Sequence, residues 1–370
     1  MDHSEHALNH TVPNQTTVKT NSSMSLYFES CQLTSPALFI LLTAYIIVIF
    51  VGLFGNLSLI IIIIKKQREA KNVTNILIAN LSLSDILMCI MCIPFTVVYT
   101  LMDYWIFGNV MCKLTSYAQS VSITVSIFSL VLIAVERYQL IVNPRGWKPN
   151  MSHAYWAILV IWLFSLLLSV PFFLSYHLTD EPFLNLSLPN DLHIHQMACV
   201  EGWSSKVNQL LFTTSLLMLQ YCIPLGFIFI CYLRILICLR RRRNGKVERM
   251  REHESKRINI VLISIVVTFG ACWLPLNIFN AIFDWYHEAL MSCHHNLVFV
   301  VCHLVAMTST CVNPLFYGFL NKNFQKDLLV FIHHCRCFAP REKYKNIAIS
   351  TMYTDESKEF LKLAPIPAAV

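Results

Sequence analysis

Seven long apolar runs dominate the sequence, and each is about as long as a helix that crosses a lipid bilayer. An α-helix rises ~1.5 Å per residue, so ~20 apolar residues span the ~30 Å hydrocarbon core. Only 13% of the 370 residues are charged and the mean hydropathy is +0.55, which argues against a soluble domain. We therefore predict an all-α membrane protein with a bundle of seven transmembrane helices at 38–64, 75–100, 110–142, 154–175, 209–239, 258–283 and 297–320.

The basic residues predict how this bundle is oriented. If the N-terminus is extracellular, 25 of the 28 Lys and Arg residues fall on the cytosolic side, and the exceptions are Lys19, Lys113 and Lys206. An excess of positive charge marks the cytosolic side of membrane proteins. The outer segments then hold 3 basic and 10 acidic residues, a net charge of −7, which favours a cationic ligand. We predict a multi-pass plasma-membrane protein with a cytoplasmic C-terminus.

The outer segments contain sites for covalent modification. The glycosylation pattern Asn-x-Ser/Thr occurs there four times, at Asn9, Asn14, Asn21 and Asn185. It also occurs at Asn56 and at Asn72-Val-Thr74, but these positions lie in or behind the membrane, so we interpret them as chance matches. Four cysteines are outside, and four allow three pairings. Cys112 begins the third helix and Cys199 lies in the loop above it, so we predict that they are bridged; a bridge between Cys31 and Cys293 stays open.

The third run combines membrane length with unusual polarity. Gln119, Ser122 and Ser126 are among its many polar side chains, which is typical of a helix surrounded by other helices. Glu136-Arg137 stands where this helix leaves the membrane. The pair is either a border pair that reaches the headgroups or a switch that faces the cytosol.

The sequence predicts three further segments around the bundle: an N-terminal tail, a surface helix and a C-terminal tail. Residues 1–37 form the glycosylated tail, 38–320 the bundle, and 321–334 a short amphipathic helix on the membrane surface. Cys335 and Cys337 follow that helix and are candidates for palmitoylation. Residues 335–370 form a polar cytoplasmic tail.

Landmarks spread over nearly the whole chain resemble the rhodopsin-like G-protein-coupled receptors. They are Gly55-Asn56, Asp85, Cys112, Glu136-Arg137-Tyr138, Trp162, Pro224, Tyr232, Cys272-Trp273-Leu-Pro275 and Asn313-Pro314 with Tyr317. Longer stretches are similar to neuropeptide Y receptors: 70–75, 99–108, 143–149 and 302–311. The resemblance implies amidated peptide ligands that end in Arg-Tyr-amide, of the neuropeptide Y, peptide YY and pancreatic polypeptide class. It also implies inhibitory heterotrimeric G proteins that lower cyclic AMP, together with arrestin and receptor kinases.

The resemblance also implies a ligand-binding pocket, residue by residue. Its positions are Thr96, Tyr99, Gln119, Gln220, Asn280, Phe283, Asp284, Asn296 and His303. Receptors for biogenic amines have an acid where this chain has Gln119, so a small amine lacks a buried counter-ion here. Asn280 and Asp284 share a helix face and suit the penultimate Arg of the peptide. No Lys or Arg lies between Arg257 and Lys322, so no neighbour in the sequence neutralises Asp284. For His303, a structural role in the core is at least as good an interpretation.

A second set of positions matches the family's activation switch: Glu136, Arg137, Tyr232, Trp273, Pro275, Asn313, Pro314 and Tyr317. Asp85, Ser126, Ser309 and Asn313 are similar to the family's site for an allosteric sodium ion, and no other cofactor is implied. Many members place an acid at the inner end of the sixth helix, where it binds the arginine. This chain has Ser255 there, so a lock between Arg137 and the sixth helix is not expected.

Other classes of membrane protein fit less well. A retinal protein needs a lysine in the seventh helix, and 297–320 contains none. The repeats of a transporter and the His-Glu-x-x-His motif of a metalloprotease are missing from the sequence. We predict neither an enzyme nor a nucleic-acid-binding protein. A decoy receptor that binds peptide without signalling stays open as an alternative.

Overall fold

The computed structural model describes residues 35–69, 71–102, 104–180, 197–241, 248–286, 295–320 and residue 325. Seven helical spans in this part of the chain are long and apolar enough to cross a membrane, which confirms the predicted bundle. Their bounds are Pro36–Arg68, Val73–Met102, Gly108–Ile141, Met151–Ser175, Lys206–Arg241, Arg257–Trp285 and Asn296–Tyr317. The sixth helix itself begins earlier, at Glu248, and continues to Trp285.

The third span, Gly108–Ile141, is the centre of the bundle. In its most apolar window 67% of the residues are buried, against 17% in the fourth span. Hydrogen bonds join it to its neighbours: Asn80 Nδ2 donates to Ser129 Oγ over 2.8 Å, and Trp162 Nε1 donates to Asn80 Oδ1 over 2.9 Å. The many small polar residues of this run therefore serve helix contacts, as their pattern predicts.

Three spans are interrupted where the sequence predicted continuous helices. The second consists of Val73–Met91 and Ile93–Met102, and the seventh of His295–Met307 and Ser309–Leu320. The fifth consists of Lys206–Leu217, a π-helical segment Met218–Cys222, and Ile223–Arg241. There the Ile223 N–H donates to Met218 O, five residues back. Pro224 follows at once and has no N–H to donate, so the wider turn lies where the α-helical bonding pattern fails.

A two-stranded antiparallel ribbon covers one end of the bundle, where the sequence predicted only a loop. Strand β1, Tyr176–Thr179, pairs with β2, Ala198–Glu201. Cys199 of β2 forms the predicted disulfide with Cys112, and their Cα atoms are 5.7 Å apart. The Trp105 N–H also donates to Met197 O over 2.7 Å. We call this the disulfide end of the bundle, and the opposite end the Arg137 end.

Several predicted features lie outside the described residues. They include the tail 1–34, the glycosylation positions Asn9, Asn14, Asn21 and Asn185, Cys31 and Cys293, and the palmitoylation positions Cys335 and Cys337. The same applies to the predicted surface helix 321–334 except for Gln325, which is helical. The side chain of Ser255 also lies outside the description.

Candidate functional site

An aromatic cluster supports Tyr99 at the disulfide end. Its ring meets Trp105 edge-to-face with 5.5 Å between centroids, and Trp105 meets Phe107 at 5.4 Å. The Trp105 Nε1–H donates to Gly108 O over 2.9 Å. Gly108 has φ +76°, a backbone conformation that glycine adopts without strain. This glycine lets the chain turn tightly into the third span, so the indole is held below the ribbon.

A second row of rings joins the sixth, seventh and first spans. Phe283 stacks on Phe279 with 6.3 Å between centroids, Phe279 meets Phe299 at 5.7 Å, and Phe299 meets His303 at 5.8 Å. The Tyr45 hydroxyl lies 2.9 Å from His303 Nδ1. Nε2 of His303 is buried and has no hydrogen-bond partner. His303 is thus both packed in the core and provided with one nitrogen for a further contact.

The polar residues predicted to line the pocket differ in how they are engaged. Gln220 Nε2 donates to Ser120 Oγ over 3.1 Å and to Thr124 Oγ1 over 2.8 Å, so it ties the fifth span to the third. Thr96 Oγ1 donates to its own helix at Cys92 O over 3.1 Å. Gln119 is half-buried, whereas Asn280 and Asn296 are exposed. The exposed amides suit contact with a ligand better than Gln220 does.

Two carboxylates form the acidic part of the disulfide end. Asp284 is only 7% exposed, and it accepts a hydrogen bond of 3.2 Å from Gln209 Nε2. Burial raises the pKa of Glu201; the hydrogen bond from Trp203 Nε1, 2.5 Å long, partly opposes that shift, the charge of Asp284 adds to it and that of Lys206 opposes it. Asp284 has no basic neighbour in the sequence, but Lys206 comes from another helix and its charge acts on both carboxylates.

The middle of the bundle contains the predicted sodium ligands. Asn313 Nδ2 donates to Asp85 Oδ2 over 2.6 Å, and Ser126 Oγ lies 2.8 Å from Ser84 Oγ. Ser309 accepts a bond of 3.2 Å from Trp273 Nε1. The carboxylate of Asp85 and the unpartnered Oδ1 of Asn313 are oxygen ligands of the kind that hard cations take. The residues therefore fit a sodium ion, and its binding stays a prediction.

The Arg137 end contains a compact ionic cluster. Arg137 Nε lies 3.3 Å from Glu136 Oε2. Thr74 Oγ1 donates to Glu136 Oε1 and Oε2 over 2.7 and 2.8 Å, and Arg137 Nη2 donates to Thr74 Oγ1. Tyr232 and Tyr317 are buried at the same end, and neither hydroxyl has a hydrogen-bond partner. Glu136 and Arg137 are thus engaged with the second span rather than with lipid headgroups.

Sequence comparison identifies the class of protein that has this arrangement. Residues 55–317 match the family of 7 transmembrane receptors (rhodopsin family). The chain belongs to this family. It is therefore a multi-pass membrane receptor and not an enzyme, as the motifs predicted.

Relatives that match over nearly their full length indicate which subfamily of these receptors the chain belongs to. The receptor is 72% identical to neuropeptide Y receptor type 6 of Oryctolagus cuniculus over 99% of this chain and 100% of the relative. Neuropeptide Y receptor type 1 of Xenopus laevis is 57% identical over 91% and 92%, and type 4 of Mus musculus 46% identical over 91% and 90%. The receptor is thus a member of the neuropeptide Y receptor family. The motifs resemble type 6 most, with types 1 and 4 as alternatives, and the identities confirm that order.

Sequence reasoning missed three residues that position the candidate sites of the receptor: Thr74, Trp105 and Gln209. Thr74 carried a signal, because Asn72 two residues earlier is a good helix N-cap. Asn72 Oδ1 does accept from the Thr74 N–H over 2.9 Å, which places Thr74 in the first turn. Gln209 carried no such signal, because its contact with Asp284 joins residues that are 75 positions apart.

Proposed function

We propose that the receptor binds amidated peptides of the neuropeptide Y, peptide YY and pancreatic polypeptide class at its disulfide end. In this proposal the disulfide end and the N-terminus are extracellular, and the Arg137 end faces the cytosol. The receptor then activates heterotrimeric G proteins of the inhibitory class and lowers cyclic AMP. The names of its full-length relatives support the ligand class, and the charge asymmetry of the sequence supports the orientation.

The observation that carries this proposal is the buried carboxylate of Asp284 one helical turn from the exposed amide of Asn280. A carboxylate that is only 7% exposed keeps much of its attraction for a cation, because nearby water is excluded. Asn280, one turn away, is exposed. In this proposal the penultimate Arg of the peptide contacts both residues, and the bond from Gln209 Nε2 holds the carboxylate in place.

Signalling needs two states that the ligand distinguishes. A peptide that reaches Gln119, Asn280 and His303 joins the third, sixth and seventh spans. Pro275 lies two residues beyond Trp273 inside the sixth helix, and proline permits a kink there. We propose that the bound state lets the sixth span swing about Pro275, and that sodium at Asp85 and Asn313 favours the state without peptide.

The swing opens a cytosolic cleft at the Arg137 end. Arg137 then leaves Glu136 and lines the cleft together with Tyr232 and Tyr317, whose unpartnered hydroxyls are suitable acceptors. A helix of the G protein enters this cleft, and after activation receptor kinases and arrestin act on the same face. Membrane lipid surrounds the bundle, which is consistent with the many exposed apolar side chains of the fourth and fifth spans.

The experiment that tests this function is agonist-stimulated nucleotide exchange on purified inhibitory G protein, with the receptor in lipid nanodiscs. We expect peptides that end in Arg-Tyr-amide to accelerate exchange, and the same peptides with a free carboxylate to act weakly. Binding without acceleration would favour the decoy receptor. Failure of every amidated peptide to bind would contradict the proposed ligand class.

A further inference from the structure

Thr74 occupies a position that the proposed function does not explain. It lies in the first turn of the second span and is only 3% exposed. In the first turn no helix carbonyl lies three or four residues back, so its hydroxyl is available for contacts with other spans. It contacts both members of the Glu136–Arg137 pair on the third span.

The Thr74 hydroxyl hydrogen-bonds with both members of the ion pair, as a donor to one and as an acceptor from the other. It donates its one hydrogen to the Glu136 carboxylate, at 2.7 and 2.8 Å from the two oxygens, and it accepts from Arg137 Nη2. Hydrogen bonds to ionised groups are about twice as strong as neutral ones. Serine keeps both roles, whereas valine has nearly the shape of threonine and fills neither. The position can therefore be tested at almost constant volume.

The backbone that carries Thr74 is fixed independently of the ion pair. Asn72 Oδ1 caps the helix at the Thr74 N–H over 2.9 Å. Gln67 of the first span holds Asn72 in turn, because its Oε1 accepts from the Asn72 N–H over 3.1 Å and its Nε2 donates to Asn72 O over 3.2 Å. The hydroxyl is thus held in place before it meets Arg137, so little conformational entropy is lost in the contact.

Two other acceptors for Arg137 lie at the same end and are vacant. The hydroxyls of Tyr232 and Tyr317 are buried without hydrogen-bond partners, and the charge of Arg137 acts on both. A buried unpaired hydroxyl is costly, so these tyrosines favour a state in which Arg137 turns toward them. Ser255 cannot form an ion pair, so the sixth span offers no charge at that position to oppose the turn.

We infer that Thr74 is the residue that holds Arg137 in the signalling-incompetent position and thereby sets the ligand-independent activity of the receptor. The second span takes the restraining role that the sixth span lacks at Ser255. Thr74 is a positioning residue: it does not contact the peptide or enter the cleft, and it acts through Arg137. The inference rests on the proposed coupling of the receptor to G proteins.

The test compares Thr74→Val with Thr74→Ser in nanodiscs. We expect Thr74→Val to raise nucleotide exchange without peptide at least threefold and to raise agonist affinity by a similar factor, because the binding-competent state is more populated. Maximal exchange with peptide should stay near that of the unmodified receptor. Thr74→Ser should lie within twofold of the unmodified receptor in all three measurements. A merely structural defect would lower basal and stimulated exchange together.

A combined variant tests where Arg137 goes. If the vacant tyrosine hydroxyls receive it, Thr74→Val with Tyr232→Phe should lose most of the basal exchange gained by Thr74→Val alone. A gain that persists undiminished in the combined variant would contradict the role of Tyr232 as the alternative acceptor.

A second measurement works without any G protein. Spin labels carried by unnatural amino acids replace two exposed side chains, Leu140 on the third span and Ile260 on the sixth. Pulsed dipolar spectroscopy without peptide should show a longer-distance population in Thr74→Val that is minor in Thr74→Ser and in the unmodified receptor. Identical distance distributions in all three would overturn the inference, whether or not exchange can be measured. Failure of the unmodified receptor to stimulate exchange would contradict the proposed function alone.

Discussion

The polar side chains at the two ends of the bundle have different surroundings. At the Arg137 end the buried carboxylate of Glu136 and the half-buried guanidinium of Arg137 contact each other and Thr74. At the disulfide end Asp284 and Glu201 carry like charges, and the amides of Asn280 and Asn296 are exposed. The charged groups of the Arg137 end thus contact one another, whereas exposed amides accompany the carboxylates of the disulfide end. The difference is consistent with the proposal that ligand binds at the disulfide end while the Arg137 end responds by exchanging internal partners.

The largest expected effect is a loss of signalling without a loss of ligand binding, on changing a residue at the Arg137 end. Arg137 lies 18 residues beyond Gln119, or roughly 27 Å along the helix, so it cannot touch a peptide at the disulfide end. Arg137→Ala should reduce agonist-stimulated nucleotide exchange about 100-fold or more and leave antagonist affinity within a few fold. Radioligand binding and exchange on the same preparation measure both quantities.

Arg234 supplies the control for charge alone, because it is an exposed arginine of the fifth span. Arg234→Ala should leave exchange nearly unchanged. Full activation of G protein by the Arg137→Ala receptor would mean that the Arg137 end is not the switch, and the contrast between the ends would fail.

The next effect concerns the bridge between Cys112 and Cys199 at the disulfide end. Loss of a disulfide typically costs ~2–5 kcal/mol in small secreted domains, equivalent to at least ~30-fold in an equilibrium constant. Cys112→Ser and Cys199→Ser should each reduce peptide affinity or the amount of binding-competent receptor by that order. The double variant should lose no more than either single one, since each removes the same bond. Cys222→Ser, which changes an exposed free cysteine, is the control, and unaltered binding in both single variants would contradict the role of the bridge.

The third effect tests whether the carboxylate of Asp284 is the group at the disulfide end that binds the penultimate Arg of the peptide. A charge-assisted hydrogen bond contributes ~1.5–3 kcal/mol, and Gln209 and Lys206 already satisfy part of Asp284. We therefore expect Asp284→Asn to weaken a peptide that ends in Arg-Tyr-amide about 10- to 30-fold. An analogue with a neutral penultimate residue should lose much less, and the double-mutant cycle gives the pairing energy directly.

Asp180 provides a matched acid, since it is exposed at the same end. Asp180→Asn should change affinity by less than twofold. Equal weakening of both peptides by Asp284→Asn would place the anchor elsewhere, with Glu201 the next carboxylate to change.

The smallest effect is a dependence on pH. Burial and the negative charge of Asp284 raise the pKa of Glu201, so on acidification Glu201 loses its charge at a higher pH than an ordinary glutamate. The arginine of the peptide stays cationic throughout, so affinity should fall as the pH is lowered toward that raised pKa. From pH 7.5 to 5.5 we expect the unmodified receptor to lose about two- to threefold more affinity than Glu201→Gln. Parallel pH profiles for the two receptors would show that Glu201 does not contribute charge to the ligand site.

Much of this organisation could be predicted from the sequence because membrane length and family landmarks are local signals. The seven spans, the bridge between Cys112 and Cys199, and the proximity of Asp85 to Asn313 follow from such signals. Gly55 shows why one landmark is a glycine: a Cβ there would lie 2.7 Å from the ring of Pro314, too close for any side chain.

The remaining features depend on partners that are distant in the sequence. The ribbon pairs Leu178 with Cys199 across a long connection, and each strand has only four residues, too few for a pattern of polar and apolar residues to predict it. Lys206 acts on Asp284, which is far away in the sequence, only because the fifth and sixth spans meet in space. Thr74 was interpreted only as part of a chance glycosylation pattern. The N-cap residue Asn72 nevertheless indicated that a helix begins there and that Thr74 lies in its first turn. Short-range patterns locate helices, but they do not say which polar groups meet between them.

The π-helical segment Met218–Cys222 has a consequence for how the fifth span tolerates insertions and deletions. A wide turn of this kind accommodates one residue more than an α-helical turn. Deleting one residue from it would restore a regular helix and leave the parts on either side facing nearly as before, so Gln209 would still face Asp284. Deleting one residue from the α-helical part Lys206–Leu217, after Gln209, would instead rotate Gln209 by about 100° relative to the rest of the span. The π-helical segment is therefore a place where the loss of one codon leaves the orientation of Gln209 nearly unchanged.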